Sequence, residues 1–408
     1  MKELLFYYDI VCPYAYMASL QVEALAQRTG ARLVYKPVLL GGIYNSIGRP
    51  QEADAGQSPA RIAMGGLRMA RQAHDAGVEL NFPNGHPRRT VNAMRLLLAA
   101  DEATRPALTA TLYRTYWQQG RDVSDPAVLA EVARSHGIDP AVTGDPAVKQ
   151  ALFDAVDEAV ERGLFGVPTF VVDDQLWWGG DRLHLVERAL GGSPAYAATD
   201  GGATGSGRTV EFFHDFGSPY AYLGATQIAR VAAENGAELV YRPMVLGGLF
   251  KTIGTATIPI QTFTEPKRRW YLHDMTQWSA FWDVPFAFAS NFPLRTITAS
   301  RVALADPATT DCLYKAAWAD DRDIGDKTVL AAVLTEAGFD AASLLEQTQD
   351  PAIKAQLFAN TDRAASFGAC GAPTFVIDGK VVVWGQDRLD EVARLLRGDL
   401  PPDHIHRS

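Results

Sequence analysis

A chain of 408 residues is too long for one ordinary core and fits two domains of about 200 residues each. With 47% hydrophobic and 21% charged residues the composition is globular, which excludes a disordered or membrane-embedded chain, and a net charge of -9 with scattered Lys and Arg argues against a nucleic-acid partner. Three cysteines, Cys12, Cys312 and Cys370, show no Cys-x-x-Cys spacing, so neither structural disulfides nor a redox dithiol is expected, and the compartment is read as reducing.

The first ten residues are too short and too acidic for a secretory apolar region, and no run of about 18 apolar residues follows, so a soluble cytoplasmic protein with no membrane partner is expected. Residues 4–8 form a short apolar and aromatic run that reads as a strand. A helix then begins at Pro13, where a missing N–H costs nothing, and ends near Gly30. Residues 32–36 read as a second strand, and residues 57–160 carry Ala, Leu and Arg at a period near 3.6 that predicts helices. Residues 169–172 read as a strand behind Pro168, and a last helix is expected from Asp181. Residues 191–207, rich in Gly, Ala, Ser and Thr, read as a flexible linker. The pattern then recurs with strands at 209–213, 238–242 and 374–377, a helix from Pro219 to near Gly236, a helical stretch over 264–365 and a last helix from Asp387.

The recurrence is residue by residue. Phe6-Tyr7-Tyr8-Asp9 and Cys12-Pro13-Tyr14-Ala15-Tyr16 align with Phe212-Phe213-His214-Asp215 and Ser218-Pro219-Tyr220-Ala221-Tyr222, 206 positions on. The same offset carries Leu40-Gly41-Gly42 onto Leu246-Gly247-Gly248 and Thr90 onto Thr296, and Trp178-Gly179-Gly180-Asp181-Arg182 meets Trp384-Gly385-Gln386-Asp387-Arg388. An internal repeat of this size means two copies of one domain. The expected fold class is α/β: two tandem thioredoxin-like domains, each with an all-helical insertion before its second half. The division expected is a domain over 1–190, the linker 191–207, a second domain over 208–398 and a tail over 399–408.

Cys12 and Ser218 each stand just before a proline at a helix start, where exposed N–H groups and the positive end of the helix dipole would stabilise a thiolate, whether that of the cysteine or of a bound thiol. Capping alone would also account for Ser218, and simple burial for Cys12. Gly166-Val167-Pro168-Thr169 and Gly371-Ala372-Pro373-Thr374 place a proline just ahead of a strand, the expected site of a cis bond, with Val167 or Ala372 able to pair with a peptide-like ligand. Asp181 and Asp387 sit where a helix N-cap is expected, and either could pair with a ligand ammonium.

In this order and spacing the motifs resemble the 2-hydroxychromene-2-carboxylate isomerase and kappa-class glutathione transferase family, within the wider DsbA-like group. They include Ser-Pro-Tyr-Ala-Tyr from Ser218, Arg-Pro-x-x-Leu-Gly-Gly from Arg242, Pro266-Lys267, Gly-Ala-Pro-Thr-Phe from Gly371 and Trp-Gly-Gln-Asp-Arg-Leu from Trp384. The resemblance implies a glutathione site. In it Ser218 activates the glutathione thiolate, Ala372 and Pro373 face the cysteinyl part, Asp387 takes the γ-glutamyl end and Lys267 lies near the tripeptide carboxylate. Cys12, Val167, Pro168, Asp181 and Arg61 hold the equivalent positions in the first copy. It also implies a glutathione-dependent isomerase or transferase acting on an aromatic or polyketide-like enone by reversible thiolate addition, with the two copies forming an internal pseudo-dimer.

The first copy departs from the family pattern. Its serine is Cys12 and its lysine Arg61, so the second copy is expected to be the better site. Two rival readings stay open: a monothiol disulfide oxidoreductase using Cys12, whose helix carries Ala15 where a resolving cysteine would stand, and one catalytic copy with a non-catalytic packing partner. Cys370 takes the place of Phe165. Trp270, Tyr271, Trp278, Phe281 and Trp282 are expected mostly as core of the second copy, with a remainder lining a flat aromatic pocket.

Overall fold

The computed structural model describes residues 1–52, 54–194 and 207–399. Most of the expected linker and all but the first residue of the expected tail lie outside the described residues. No helix among the described residues is long and apolar enough to cross a membrane.

In chain order the first half forms β1 (Glu3–Tyr8), α1 (Pro13–Thr29), β2 (Arg32–Pro37), α2 (Leu40–Ser46), α3 (Pro59–Asp75), α4 (Val91–Ala99), α5 (Arg105–Tyr113), α6 (Pro126–Ser135), α7 (Pro146–Glu161), β3 (Thr169–Val172), β4 (Gln175–Trp178) and α8 (Leu183–Ala189). The second half repeats it as β5 (Thr209–His214), α9 (Pro219–Glu234), β6 (Glu238–Pro243), α10 (Leu246–Thr252), α11 (Glu265–Trp282), α12 (Ile297–Ala305), α13 (Thr310–Trp318), α14 (Lys327–Glu336), α15 (Ala341–Gln347), α16 (Pro351–Ser366), β7 (Thr374–Ile377), β8 (Val381–Trp384) and α17 (Leu389–Leu396).

Each half has a four-stranded mixed sheet, in the orders β2-β1-β3-β4 and β6-β5-β7-β8. The first strand pairs parallel with the second and antiparallel with the third. The expected α/β class with two thioredoxin-like domains and helical insertions is therefore the observed one. Because β1 and β5 are central and covered on both sides, they read as nearly continuous apolar runs rather than as an alternation. Phe6 stacks on Phe170 of β3, and Phe212 on Phe375 of β7, each at 5.4 Å between ring centroids. Such an aromatic pair adds roughly 0.5–1.5 kcal/mol beyond the area it buries.

Three local features differ from the sequence expectation. The Leu-Gly-Gly stretches form the short helices α2 and α10. The strand after each proline is half of a hairpin, whose turn in the second half puts Asp378 and Gly379 in left-handed backbone, φ 51° and 64°. Asp181 and Asp387 lie inside short 3-10 turns, and α8 and α17 begin two residues later with no side-chain cap, so neither aspartate is an N-cap.

By contact density the chain forms two compact units. The first takes the described residues of Met1–Ala55 and Leu67–Pro194 together with Thr264–Tyr271; the second takes Gly56–Gly66 and the described residues of Ala195–Phe263 and Leu272–Ser408. Two segments therefore cross the contiguous division that the repeat suggests: the opening turns of α3 and of α11.

Candidate functional site

In the second unit Ser218 caps α9. Its backbone is extended, φ -107° and ψ 115°, and its Oγ accepts the N–H of Ala221 at 3.1 Å while donating to the Ala372 carbonyl at 2.9 Å. A serine cap of this kind stabilises a helix by about 1 kcal/mol. Ala372-Pro373 is cis, as expected. A Cβ on Gly371 would stand 2.8 Å from Trp384 Nε1, so only glycine lets that indole lie against the chain here.

The loop ahead of Ser218 is held by Asp215, a fully enclosed carboxylate. It accepts the N–H of Gly217 at 2.8 Å, the N–H of Leu246 at 2.7 Å and the Thr296 hydroxyl at 2.7 Å, joining the helix start to α10 and to the turn before α12. Burial pushes its carboxyl above the usual range, against the pull of those three donors. Asp9 does the same in the first unit with Val11, Leu40 and Thr90. Asp215 and Thr296 were not singled out as site residues from sequence, although the repeat alignment carries both.

In the first unit Cys12 has matching backbone, φ -93° and ψ 115°, but makes no side-chain cap. Its Sγ donates to the Val167 carbonyl at 3.3 Å, and Val167-Pro168 is cis. Burial pushes the Cys12 thiol up to about 12; the amides of Ala15 and Tyr14 pull it down by less, and nearby Asp9 adds to the rise. Desolvation of a charged sulfur outweighs the helix-start donors here.

The basic residues are exchanged relative to expectation. Lys267 lies on the opening turn of α11 and groups with the first unit, its Nζ 5.9 Å over the Trp178 ring. Arg61, on the opening turn of α3, groups with the second unit, its guanidinium 5.3 Å over Trp384. The second unit thus brings together Ser218, Ala372, Pro373, Asp387 and Arg61, and the first unit Cys12, Val167, Pro168, Asp181 and Lys267. Asp387 is 8% exposed. Asp181 pairs with Arg68 at 3.4 Å and Arg182 at 3.3 Å.

The aromatic residues also divide. Trp278 is fully buried in the second unit against Phe281 and Trp282, whereas Trp270 belongs to the first unit, packed on Phe165 at 5.5 Å and Trp178 at 5.2 Å. Cys370 is fully buried.

Comparison with known proteins agrees with this architecture. A 2-hydroxychromene-2-carboxylate isomerase from Pseudomonas putida is 28% identical over 194 residues, 46% of this chain and 93% of that protein. Glutathione S-transferase kappa 1 from Homo sapiens is 28% identical over 220 residues, 48% of this chain and 95% of that protein. A solved structure of a 2-hydroxychromene-2-carboxylate isomerase is similar at 25% identity with a TM-score of 0.42, over 46% of this chain and 94% of that one. The DSBA-like thioredoxin domain family matches twice, over residues 3–191 and 209–397, and the chain therefore belongs to that family with two copies of its domain.

Proposed function

We propose that the second unit is a glutathione-dependent isomerase, or a glutathione transferase, acting on an aromatic or polyketide-like enone. The observation that carries this reading is the Ser218 hydroxyl, which accepts from the helix start and has one proton to donate within reach of the Ala372 carbonyl. Turned from that carbonyl, the same proton can serve a sulfur while Oγ still accepts the Ala221 N–H.

The donor set fits a thiol tripeptide: a hydroxyl for sulfur, backbone at Ala372 for the cysteinyl amide, Asp387 for an ammonium and Arg61 for a carboxylate. Bound there, glutathione supplies a thiolate that adds reversibly to a conjugated enone. Ser218 holds that sulfur ionised through its hydrogen bond and the helix-start field, and Asp215 keeps the loop bearing Ser218 in register with α10. The names and similarity of the isomerase and kappa-transferase relatives support the same class. Cysteine usage without a dithiol fits the cytoplasm as its place.

The monothiol reading through Cys12 loses support from the burial of that thiol and its raised pKa. Calorimetry should find glutathione binding, and the protein should isomerise a hydroxychromene-type substrate, with Ser218→Ala slowing turnover more than tenfold. Absence of any glutathione binding would sink the reading.

A further inference from the structure

Ser218 stands at the end of a four-residue turn that begins at Asp215 and is closed by the Ser218 N–H donating to the Asp215 carbonyl at 3.0 Å. The middle peptide of that turn joins Phe216 to Gly217 and is held at both ends. The Gly217 N–H donates to the Asp215 carboxylate at 2.8 Å, and the Phe216 carbonyl accepts the indole N–H of Trp318 at 2.7 Å. Trp318 is the last residue of α13 and, like Phe216, is fully buried.

The first unit repeats the device. The Cys12 N–H closes the turn on the Asp9 carbonyl at 3.1 Å, the Val11 N–H donates to the Asp9 carboxylate at 3.1 Å, and the buried Trp117 indole donates to the Ile10 carbonyl at 2.8 Å. The third position of the turn differs, being Val11 in the first unit and Gly217 in the second. The middle peptide of such a turn has two orientations, and the turned-over one puts the third residue in left-handed backbone. A branched valine resists that backbone strongly, whereas glycine enters it freely. Gly217 is not in left-handed backbone, so the peptide keeps the first orientation although the residue allows both. Turning it over would take the Phe216 carbonyl off Trp318 and the Gly217 N–H off Asp215. That N–H is one of three donors on the carboxylate that ties this turn to α10 and to Thr296.

We propose that Trp318 is a positioning residue for Ser218: its indole N–H holds the Phe216–Gly217 peptide in one orientation where glycine leaves two open. In the first unit Val11 excludes the second orientation by itself, so Trp117 is the less critical indole. That Ser218 serves a thiol rests on the glutathione reading above; the pinning of its turn does not.

Trp318→Phe keeps a ring in place and removes the N–H. Hydrogen exchange read by mass spectrometry should show the Gly217 and Ser218 amides exchanging about tenfold faster than in the natural protein, as expected for one lost hydrogen bond. Trp117→Phe should speed Val11 and Cys12 by less than about threefold. Adding Gly217→Ala to Trp318→Phe should return exchange to within about threefold of the natural rate, because alanine also avoids left-handed backbone. A Cβ at Gly217 meets only ordinary contacts, at 3.4 and 3.7 Å. With saturating glutathione, Trp318→Phe should slow turnover of a hydroxychromene-type substrate about tenfold while the Kd for glutathione stays within about threefold, and Gly217→Ala should recover most of the loss. Benzothienylalanine at position 318, which has the shape of the indole without its N–H, should reproduce both effects and decides the matter if Trp318→Phe does not fold. Unchanged exchange at Gly217 and Ser218 in a folded variant, an equal rise in Trp117→Phe, no rescue by Gly217→Ala, or turnover that survives faster exchange would each overturn the proposal. A natural protein that binds no glutathione overturns the glutathione reading, and the exchange comparison then decides the pinning alone.

Discussion

Cys12 and Ser218 occupy one backbone position, yet the two atoms answer to different forces. The serine hydroxyl needs no ionisation, so burial leaves its two hydrogen bonds intact. The cysteine sulfur needs charge to be a nucleophile, and burial opposes charge. With its pKa pushed up to about 12, Cys12 should be almost entirely thiol near neutral pH. Iodoacetamide at pH 8 should therefore alkylate Cys12 at least tenfold more slowly than free cysteine, with the rate climbing steeply beyond pH 10. Fast labelling at pH 7 would return the monothiol reading to contention. The sequence pointed to both positions, since the proline that starts each helix marks the residue before it. The direction of the cysteine's pKa was not legible there, because desolvation depends on residues as remote as Val167.

At the scale of the element, β5 carries a buried histidine where β1 carries a tyrosine. Tyr8 shares a hydrogen bond with Thr109 at 2.6 Å, whereas His214 meets the Tyr314 hydroxyl at 3.0 Å through Nδ1, and its Nε2 has no partner among the described residues. Burial lowers the His214 pKa to about 3, so the folded chain refuses a proton that the unfolded chain accepts below its ordinary value of about 6.5. Stability from this group is complete above pH 6.5 and is lost as pH falls toward 3, at roughly 1.4 kcal/mol per pH unit inside that window. Urea unfolding at pH 6.5, 5.5 and 4.5 should reveal the slope, and His214→Tyr, which copies Tyr8 of β1, should flatten it. Equal slopes in both proteins would remove the histidine from this account. The hairpins were the elements least legible from sequence. Asp378-Gly379 is a turn signal, but the strand behind it is only four residues long, too short to declare a period.

At the scale of the whole molecule, each unit keeps a charged cluster: the carboxylate moves from helix to strand, while Lys36 and Arg242 hold the cation at equivalent positions. In the first unit Glu158 of α7 accepts from Tyr7 and Lys36, each at 2.8 Å, and from Arg162 at 3.1 Å. In the second unit Glu211 lies on the central strand β5, and it accepts from Arg242 at 2.7 Å and Arg363 at 2.6 Å. Burial raises the Glu211 carboxyl, but the two guanidiniums outweigh it and hold the group below the usual glutamate range. The carboxylate side chain is 5% exposed, whereas the Arg242 and Arg363 side chains are 31% and 46% exposed, so removing its charge leaves two arginines that water still reaches. Glu211→Gln should cost about 2 kcal/mol in chemical denaturation, since a hydrogen bond to a charged group contributes roughly 1.5–3 kcal/mol. A loss under about 0.5 kcal/mol would class the cluster with ordinary surface pairs.

The repeat, the element order, the α/β class and the two helix starts were determined by the sequence itself, because each follows from local periodicity, proline and glycine placement, or direct self-alignment. Only the tertiary structure decided which unit receives the opening turns of α3 and α11, and so where Arg61, Lys267 and Trp270 stand. Helical periodicity records which face of a helix is apolar, not which neighbour covers it. It alone also decided that Trp270 packs on Phe165 and Trp178, since that cluster joins Trp270 to residues more than 90 positions away, a contact no local pattern encodes.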